Sequence, residues 1–274
     1  MNVRDAHELA RRWAEVLADV RPIRPRRFAR LRAALAQRQP DLTVLMDGVH
    51  KGHNLSAIVR TCDAVGVAAV HAVPVPGGKP VRLGKKPTAG ARKWLEVVWH
   101  RSGEDAVVAL RAAGFRIVVA DVAGDAEDFR ALDYTRPTAF AVGGELEGLT
   151  AAVRAGADLR VRIPMHGLVE SLNVSVATAI LLFEAERQRA TAGLYAAPRY
   201  APDEFARRLF EWAYPAAARR LRAAGLPYPP LGPDGAPRLN APPHLARSPS
   251  DGRPGSEVRG AGDTRPDAAG AGRG

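Results

Sequence analysis

Strand-like and helix-like segments alternate from Thr43 to Ile163, which predicts an α/β domain on a mostly parallel sheet with helices on both faces. Three observations carry that expectation. Short β-branched and apolar runs recur with helical patterns between them, Gly or Pro punctuates the changes of period, and the helix opening at Asn173 is apolar on nearly every face through its first turns. Surface helices are not apolar all round.

The elements follow in order. Asp5 to Val20 fits a helix with Leu9, Trp13, Val16, Leu17 and Val20 near one face, ended by Pro22 and Pro25. Arg21 to Arg38 holds seven arginines and no acid, with Phe28, Leu31 and Leu35 at helical spacing, so a basic helix lies on an apolar stripe. Its charge is either a nucleic-acid-facing arm or a solvated face. Thr43 to Val49 reads as a strand, Asn54 to Val65 as a helix stopped by Gly66, and Val67 to Val73 as the next strand, together a βαβ unit. A Gly/Pro/Lys loop from Pro74 to Gly90 leads to a strand at Leu95 to Val98 and a helix at Glu104 to Ala113. Strands Phe115 to Ala120 and Thr138 to Val142, a short helix Thr150 to Ala155 and strand Leu159 to Ile163 complete the alternation. Beyond the long helix, Asp203 to Ala224 predicts one more basic amphipathic helix with Phe205, Leu209, Trp212 and Leu221 on its apolar side. From Leu226 to Gly274, Pro, Gly, Ala, Arg and Asp dominate, and too few apolar anchors are present to repay ordering, so disorder is expected.

A net charge of +11 on 274 residues points to a polyanionic partner, nucleic acid before a membrane surface. No apolar run reaches the roughly 18 residues of a spanning helix, and Met1 to Glu8 is too polar for a signal peptide, so a cytoplasmic protein is expected. The single cysteine, Cys62, falls in an apolar helical pattern and reads as a core residue.

Three segments can carry chemistry. At the first strand-to-helix turn, Asn54 is a candidate N-cap or ligand contact, and Arg60 either pairs with Asp63 one turn on or holds a phosphate in its fork of donors. His50 and His53 lack a third ligand at useful spacing, so no metal site is expected. The second segment, Gly143-Gly144-Glu145, follows a strand, but its spacing is not that of a dinucleotide fingerprint. Its glycines permit close backbone approach to a ligand, and Glu145 can accept hydrogen bonds. The third runs from Ile163 through Pro164 and Gly167 to Ser171 and Asn173, where either polar residue can cap the long helix or face a substrate.

Asn54-Leu55-Ser56-Ala57-Ile58-Val59-Arg60, Gly143-Gly144-Glu145, and Ile163-Pro164-Met165 through Ser171-Leu172-Asn173-Val174-Ser175 together resemble the three motifs of the SPOUT superfamily of methyltransferases. Within it they are similar to the TrmH family, which methylates ribose 2′-oxygens in RNA. The resemblance covers about Arg26 to Tyr195. It implies a C-terminal deep trefoil knot, a homodimer, and S-adenosylmethionine held around Ala120, Asp121, Gly143, Gly144, Ile163, Met165 and Leu172. It implies Arg60 at the catalytic centre, supported by Asn54, Glu145, Ser171 and Asn173. Arg38 to Leu45 and Arg187-Gln188-Arg189 with Gly193-Leu194-Tyr195 resemble members acting on the guanosine at position eighteen of the tRNA D-loop; the alternatives are ribosomal RNA as substrate, or an RNA-binding protein that kept the fold and lost catalysis. Gly52 stands where proline is more usual, and Leu146-Glu147 replaces a Lys-Trp-like pair. The organisation expected is a basic helical extension (1–40), a methyltransferase domain (41–195), a helical extension (196–225) and a tail (226–274). RNA contacts are expected at Arg26, Arg27, Arg30, Lys51, Lys85, Lys86 and Arg92.

Overall fold

The structure is a computed structural model, and it describes residues 3–75, 93–121, 126–144 and 147–240. Two helices come first, α1 (Val3–Leu17) and α2 (Pro25–Ala36), the second opened by a proline at its first position, where an N–H would have no partner within the helix. Then follow β1 (Leu42–Asp47), α3 (Gly52–Ala64), β2 (Ala69–Val73), β3 (Glu96–Trp99), α4 (Gly103–Ala112), β4 (Arg116–Ala120), β5 (Glu127–Asp128), β6 (Thr138–Gly143), α5 (Ala151–Ala155), β7 (Leu159–Arg162) and α6 (Val174–Thr191). The described chain closes with α7 (Pro202–Ala213) and α8 (Pro215–Ala223).

Seven strands form one parallel sheet in the order β3-β2-β1-β6-β4-β7-β5. β1 lies inside it, paired with β2 and, from Leu42↔Thr138 to Asp47↔Gly143, with β6, and all six of its residues are buried. That explains its unbroken apolar run, since inner parallel strands are covered on both faces. Alternate residues serve opposite layers. Val44 and Met46 pack with Leu55, Ile58, Val59 and Cys62 of α3 and with Leu181, Leu182 and Ala185 of α6, whereas Leu45 packs with Ala106 and Leu110 of α4 and Val153 of α5. Burial pushes the Cys62 thiol up, which keeps it un-ionised in the core.

Arg189 fastens the end of α6 to the other end of the sheet. Fully buried, it donates to Asp41 Oδ1 at 2.8 Å and Gln39 Oε1 at 3.0 Å, and to the carbonyls of Tyr134, Asp41 and Arg136. Burial of such a charge is tolerable only with its donors satisfied in this way.

Two expectations are corrected. The helix expected from Asp203 to Ala224 breaks at Tyr214, because Pro215 lacks the N–H of the ladder and its ring clashes with the preceding turn. The tail expected to be disordered from Leu226 is packed through Asn240. Leu226 is buried against α1 and α8, Trp13 donates to the Pro227 carbonyl at 2.8 Å, Tyr228 stacks on Phe210 at 4.7 Å, and Tyr214 donates to the Gly235 carbonyl. Its prolines lower the entropy to be lost on ordering, and a few aromatic contacts then suffice. Residues 241–274 lie outside the described residues, as does the Gly/Pro/Lys loop from 76 onward. β5 and a 3-10 turn at Phe129–Ala131 were not anticipated.

Candidate active site

The C-terminal ends of β1, β6, β4 and β7 are neighbours in the sheet, so Asp47, Gly143, Ala120 and Arg162 mark one edge. In open parallel sheets that edge is where ligands bind. The first and third segments meet there. Asn173 is the N-cap of α6, its Oδ1 accepting from the Ser175 N–H at 2.9 Å and Oγ at 2.6 Å, while its Nδ2 donates to Asn54 Oδ1 at 3.3 Å. Cap and inter-motif contact are thus one side chain. Ser171 is exposed and takes no part in the cap.

Asn54 is buried and is not an N-cap; Lys51 holds that position without a side-chain cap bond, and Asn54 lies inside the first turn of α3. Gly52 is the first residue of α3, where proline fits a helix, so the exchange leaves the backbone route intact. The pair weighed between Arg60 and Asp63 does not form. Asp63 is taken by the buried guanidinium of Arg38, which also donates to the Val67 carbonyl at 2.7 Å and lies over the Trp212 ring. Arg60 is exposed, without a hydrogen bond or ion pair among the described residues.

Gly143 and Gly144 are required by chain-on-chain contact. A Cβ on Gly143 would lie 2.1 Å from the Gly148 carbonyl carbon, and one on Gly144 would lie 2.6 Å from the Gly48 carbonyl oxygen. Glycine here lets three stretches of backbone cross closely, a stricter demand than the ligand approach read from the sequence. Gly144 donates to the Asp47 carbonyl at 2.9 Å and accepts from the Gly148 N–H at 2.9 Å. Ala120 is half-buried at the end of β4, and Asp121 donates its N–H to the Val161 carbonyl while its carboxylate meets Arg154 at 3.2 Å.

Beyond β7, Ile163, Met165 and Leu172 are half-buried, and Leu168 and Val169 are exposed. Apolar side chains beside strand-end backbone suit a cofactor with a flat ring and a thioether-like chain. Glu145, Lys85, Lys86 and Arg92 lie outside the described residues. Arg26, Arg27 and Arg30 are exposed on α2, away from the strand ends, and Lys51 is exposed just before α3.

Sequence reading missed two features. His71 and His100 stack with Nδ1 and Nε2 2.7 Å apart; burial, then His100, pushes the His71 pKa down to about 4, and burial lowers that of His100. Only the pairing of β2 with β3 brings them together. The other is Asp47, which the sequence places within the strand Thr43 to Val49 and nothing more, and whose carboxylate accepts from the Thr150 N–H at 2.7 Å.

Comparison with known proteins agrees with this geometry. The model of the SpoU rRNA methylase family matches residues 41–183, and that of the SpoU rRNA methylase C-terminal region matches 187–236. The chain belongs to the SpoU methylase family. A SpoU relative in Escherichia coli, the tRNA (guanosine(18)-2'-O)-methyltransferase, is 48% identical over 213 residues, covering 77% of this chain and 92% of its own. The enzyme of that name in Thermus thermophilus is 47% identical over 186 residues, 68% of this chain and 95% of its own. Among solved SpoU structures, the Aquifex aeolicus TrmH/SpoU tRNA modifying enzyme aligns with a TM-score of 0.65 at 40% identity, covering 69% of this chain and 96% of that one. The C-terminal match includes part of the stretch expected to be disordered, in keeping with its packing.

Proposed function

We propose that this SpoU methylase transfers a methyl group from S-adenosylmethionine to a ribose 2′-oxygen of tRNA in the cytoplasm, with the guanosine at position eighteen as target. The observation that carries the reading is the Asn54–Asn173 bond, which joins the first and third motifs, while Arg60, two turns into the same helix as Asn54, is exposed and has no partner among the described residues. The activity named for relatives that match most of their length supports the substrate.

When bound, S-adenosylmethionine supplies an electrophilic methyl group. The site residues would be the backbone of Ala120, Asp121, Gly143 and Gly144, with Ile163, Met165 and Leu172 against the apolar parts. Arg60 has donors and no acceptor, so it cannot take the hydroxyl proton as a base. Its role is to grip the phosphate beside the target ribose and to stabilise the developing alkoxide, with phosphate or water taking the proton. Asn54 and Asn173 fix the start of α3 and α6, and so the position of Arg60. Ser171, exposed near the cap, and Glu145 support the site in this reading. Alignment of the 2′-oxygen with the methyl group gives most of the acceleration. The C-terminal trefoil knot belongs to the same reading.

A homodimer accounts for α6. Its inner face is core, yet Val176 and Phe183 on the outer face are 47% and 52% exposed, an apolar surface that a second copy would cover. Sedimentation should show a dimer that Phe183→Glu dissociates; a monomeric parent chain would remove this part.

Incubation with methyl-labelled cofactor and unmodified tRNA, followed by mapping of the labelled nucleotide, tests the activity. Label at guanosine eighteen is expected; label in ribosomal RNA fragments instead would reassign the substrate, and none on any RNA would remove the enzyme. Arg60→Ala should lower kcat by about a thousandfold or more, the scale of losing a transition-state charge stabiliser, with cofactor affinity near normal. Wild-type turnover in that variant would remove Arg60 from the chemistry.

A further inference from the structure

Asp47 ends β1 on the same face as Leu45, toward α4 and α5, and is 1% exposed. Two of its hydrogen bonds tie it to the end of β6 and to the start of α5. The backbone carbonyl accepts from Gly144 at 2.9 Å where the chain leaves β6, and Oδ2 accepts from Thr150 at 2.7 Å where the chain enters α5. Between them Gly148 donates back to Gly144, and the backbone is tight at these glycines, because Gly143 abuts Gly148 and Gly144 abuts Gly48. The other carboxylate oxygen, Oδ1, is buried without a hydrogen bond among the described residues, and no cation pairs with Asp47 there.

A carboxylate so enclosed and half-satisfied is a poor stabilising device; an apolar side chain of similar size would pack in its place without the desolvation penalty. What an apolar side chain cannot do is accept the Thr150 N–H. We infer that Asp47 is a positioning residue for the methyl-donor site, clamping the backbone at Gly144 and at Thr150 so that the end of β6 is preset for S-adenosylmethionine. This rests on the reading of Gly143 and Gly144 as part of the cofactor cradle. The clamp removes backbone freedom at the end of β6 before binding, and preorganisation of this kind acts on cofactor affinity rather than on the chemical step.

The test separates those two. In Asp47→Ala the calorimetric Kd for S-adenosylmethionine and the KM for it should rise together by about tenfold, with kcat at saturating cofactor within about twofold and KM for tRNA unchanged. Asp47→Asn, which keeps an acceptor for Thr150, should recover most of the affinity. An Asp47→Ala protein that binds S-adenosylmethionine as tightly as wild type, or one that loses kcat with KM unmoved, overturns the assignment. Should Asp47→Ala not fold, amide hydrogen exchange of the unaltered protein without cofactor decides: slow exchange at both Gly144 and Thr150 is required, and fast exchange at Thr150 overturns the clamp. Failure of the unaltered protein to bind S-adenosylmethionine would instead sink the cradle reading, and the exchange result would still stand by itself.

Discussion

Helices α2 and α7 pack against each other and look alike in sequence, both arginine-rich on an apolar stripe, yet they present opposite electrostatics. Phe28, Leu31 and Leu35 of α2 meet Leu209 of α7, with Phe205 and Trp212 beside it. On α7, Arg207 is held by Glu204 at 2.6 Å and Glu211 at 2.8 Å, and Arg208 by Glu204 at 2.5 Å; the bond from Arg207 holds the Glu204 carboxyl below the usual carboxylate range. On α8, Arg222 joins Glu211 and Arg220 reaches Asp19. α2 has no acid, and its exposed Arg26, Arg27, Arg30 and Arg32 form no ion pair among the described residues. Net charge does not say where the field is. The α2 face presents positive charge unpaired among the described residues, whereas α7 carries a neutralised lattice and an apolar stripe that seats α2.

Reversing that free charge should have the largest effect. The Arg26→Glu, Arg27→Glu, Arg30→Glu triple variant should weaken tRNA binding by about a hundredfold or more at physiological salt, and the slope of log affinity against log salt should fall by about one for each phosphate no longer neutralised. Filter binding across a salt series measures both. An unchanged slope would make the α2 arginines a solvated face and nothing more.

The parts of the molecule legible in the sequence are those set by local pattern. β1, α3, β6 and α6 follow from period and punctuation, and Asn173 as a cap follows from its place before an apolar run. What could not be read depends on partners chosen by packing. Asp63 sits three residues from Arg60 and is nonetheless claimed by Arg38, twenty-five positions away, because the end of α2 lies on the end of α3. Asp47 and Thr150 are 103 positions apart, so an aspartate within an expected strand gives no hint of a clamp. The tail was misjudged for a related reason. Composition counts anchors but not the groove formed by α1, α7 and α8 that lets Leu226 and Tyr228 count for more.

That groove gives the next prediction. Truncation after Asn240 should leave Tm within a few degrees, whereas truncation after Gly225 removes buried Leu226, the Tyr228 ring and the acceptor for Trp13. It should cost on the order of 3 kcal/mol, the scale of losing a large buried side chain. Thermal melting of the two forms compares them directly. If α7 is the seat of α2, the shorter form should also lose tRNA affinity although it loses none of the α2 arginines. Equal melting of both truncations would return the segment to a dispensable tail.

His71 and His100 supply a third kind of basic site, one kept neutral. The folded pKa of His71 lies at about 4, below the ordinary histidine value of 6.5, so the unfolded chain binds more protons between those values. Stability therefore falls as pH is lowered from about 6.5 toward 4 and is unaffected above that window. Melting temperatures measured across it should decline, and a His71→Gln, His100→Gln variant should flatten the decline; an equal slope in that variant would assign the acid sensitivity elsewhere.

The smallest effect belongs to α7 itself. Arg207→Ala with Arg208→Ala removes two positive charges, as many as a double α2 variant would, but these charges already face Glu204 and Glu211. Exposed pairs of this sort contribute about 1 kcal/mol or less, so stability should change little, and tRNA affinity should stay within about twofold of wild type. Removing the acids instead sharpens the contrast. Glu204→Gln with Glu211→Gln leaves the arginines in place and unmasks them, which should strengthen tRNA binding and steepen its salt dependence if the α7 face lies within a Debye length, roughly 8 Å at physiological ionic strength, of bound RNA. A gain in affinity would show that α7 borders the RNA track with its charge cancelled, and no change would confine the track to the α2 side.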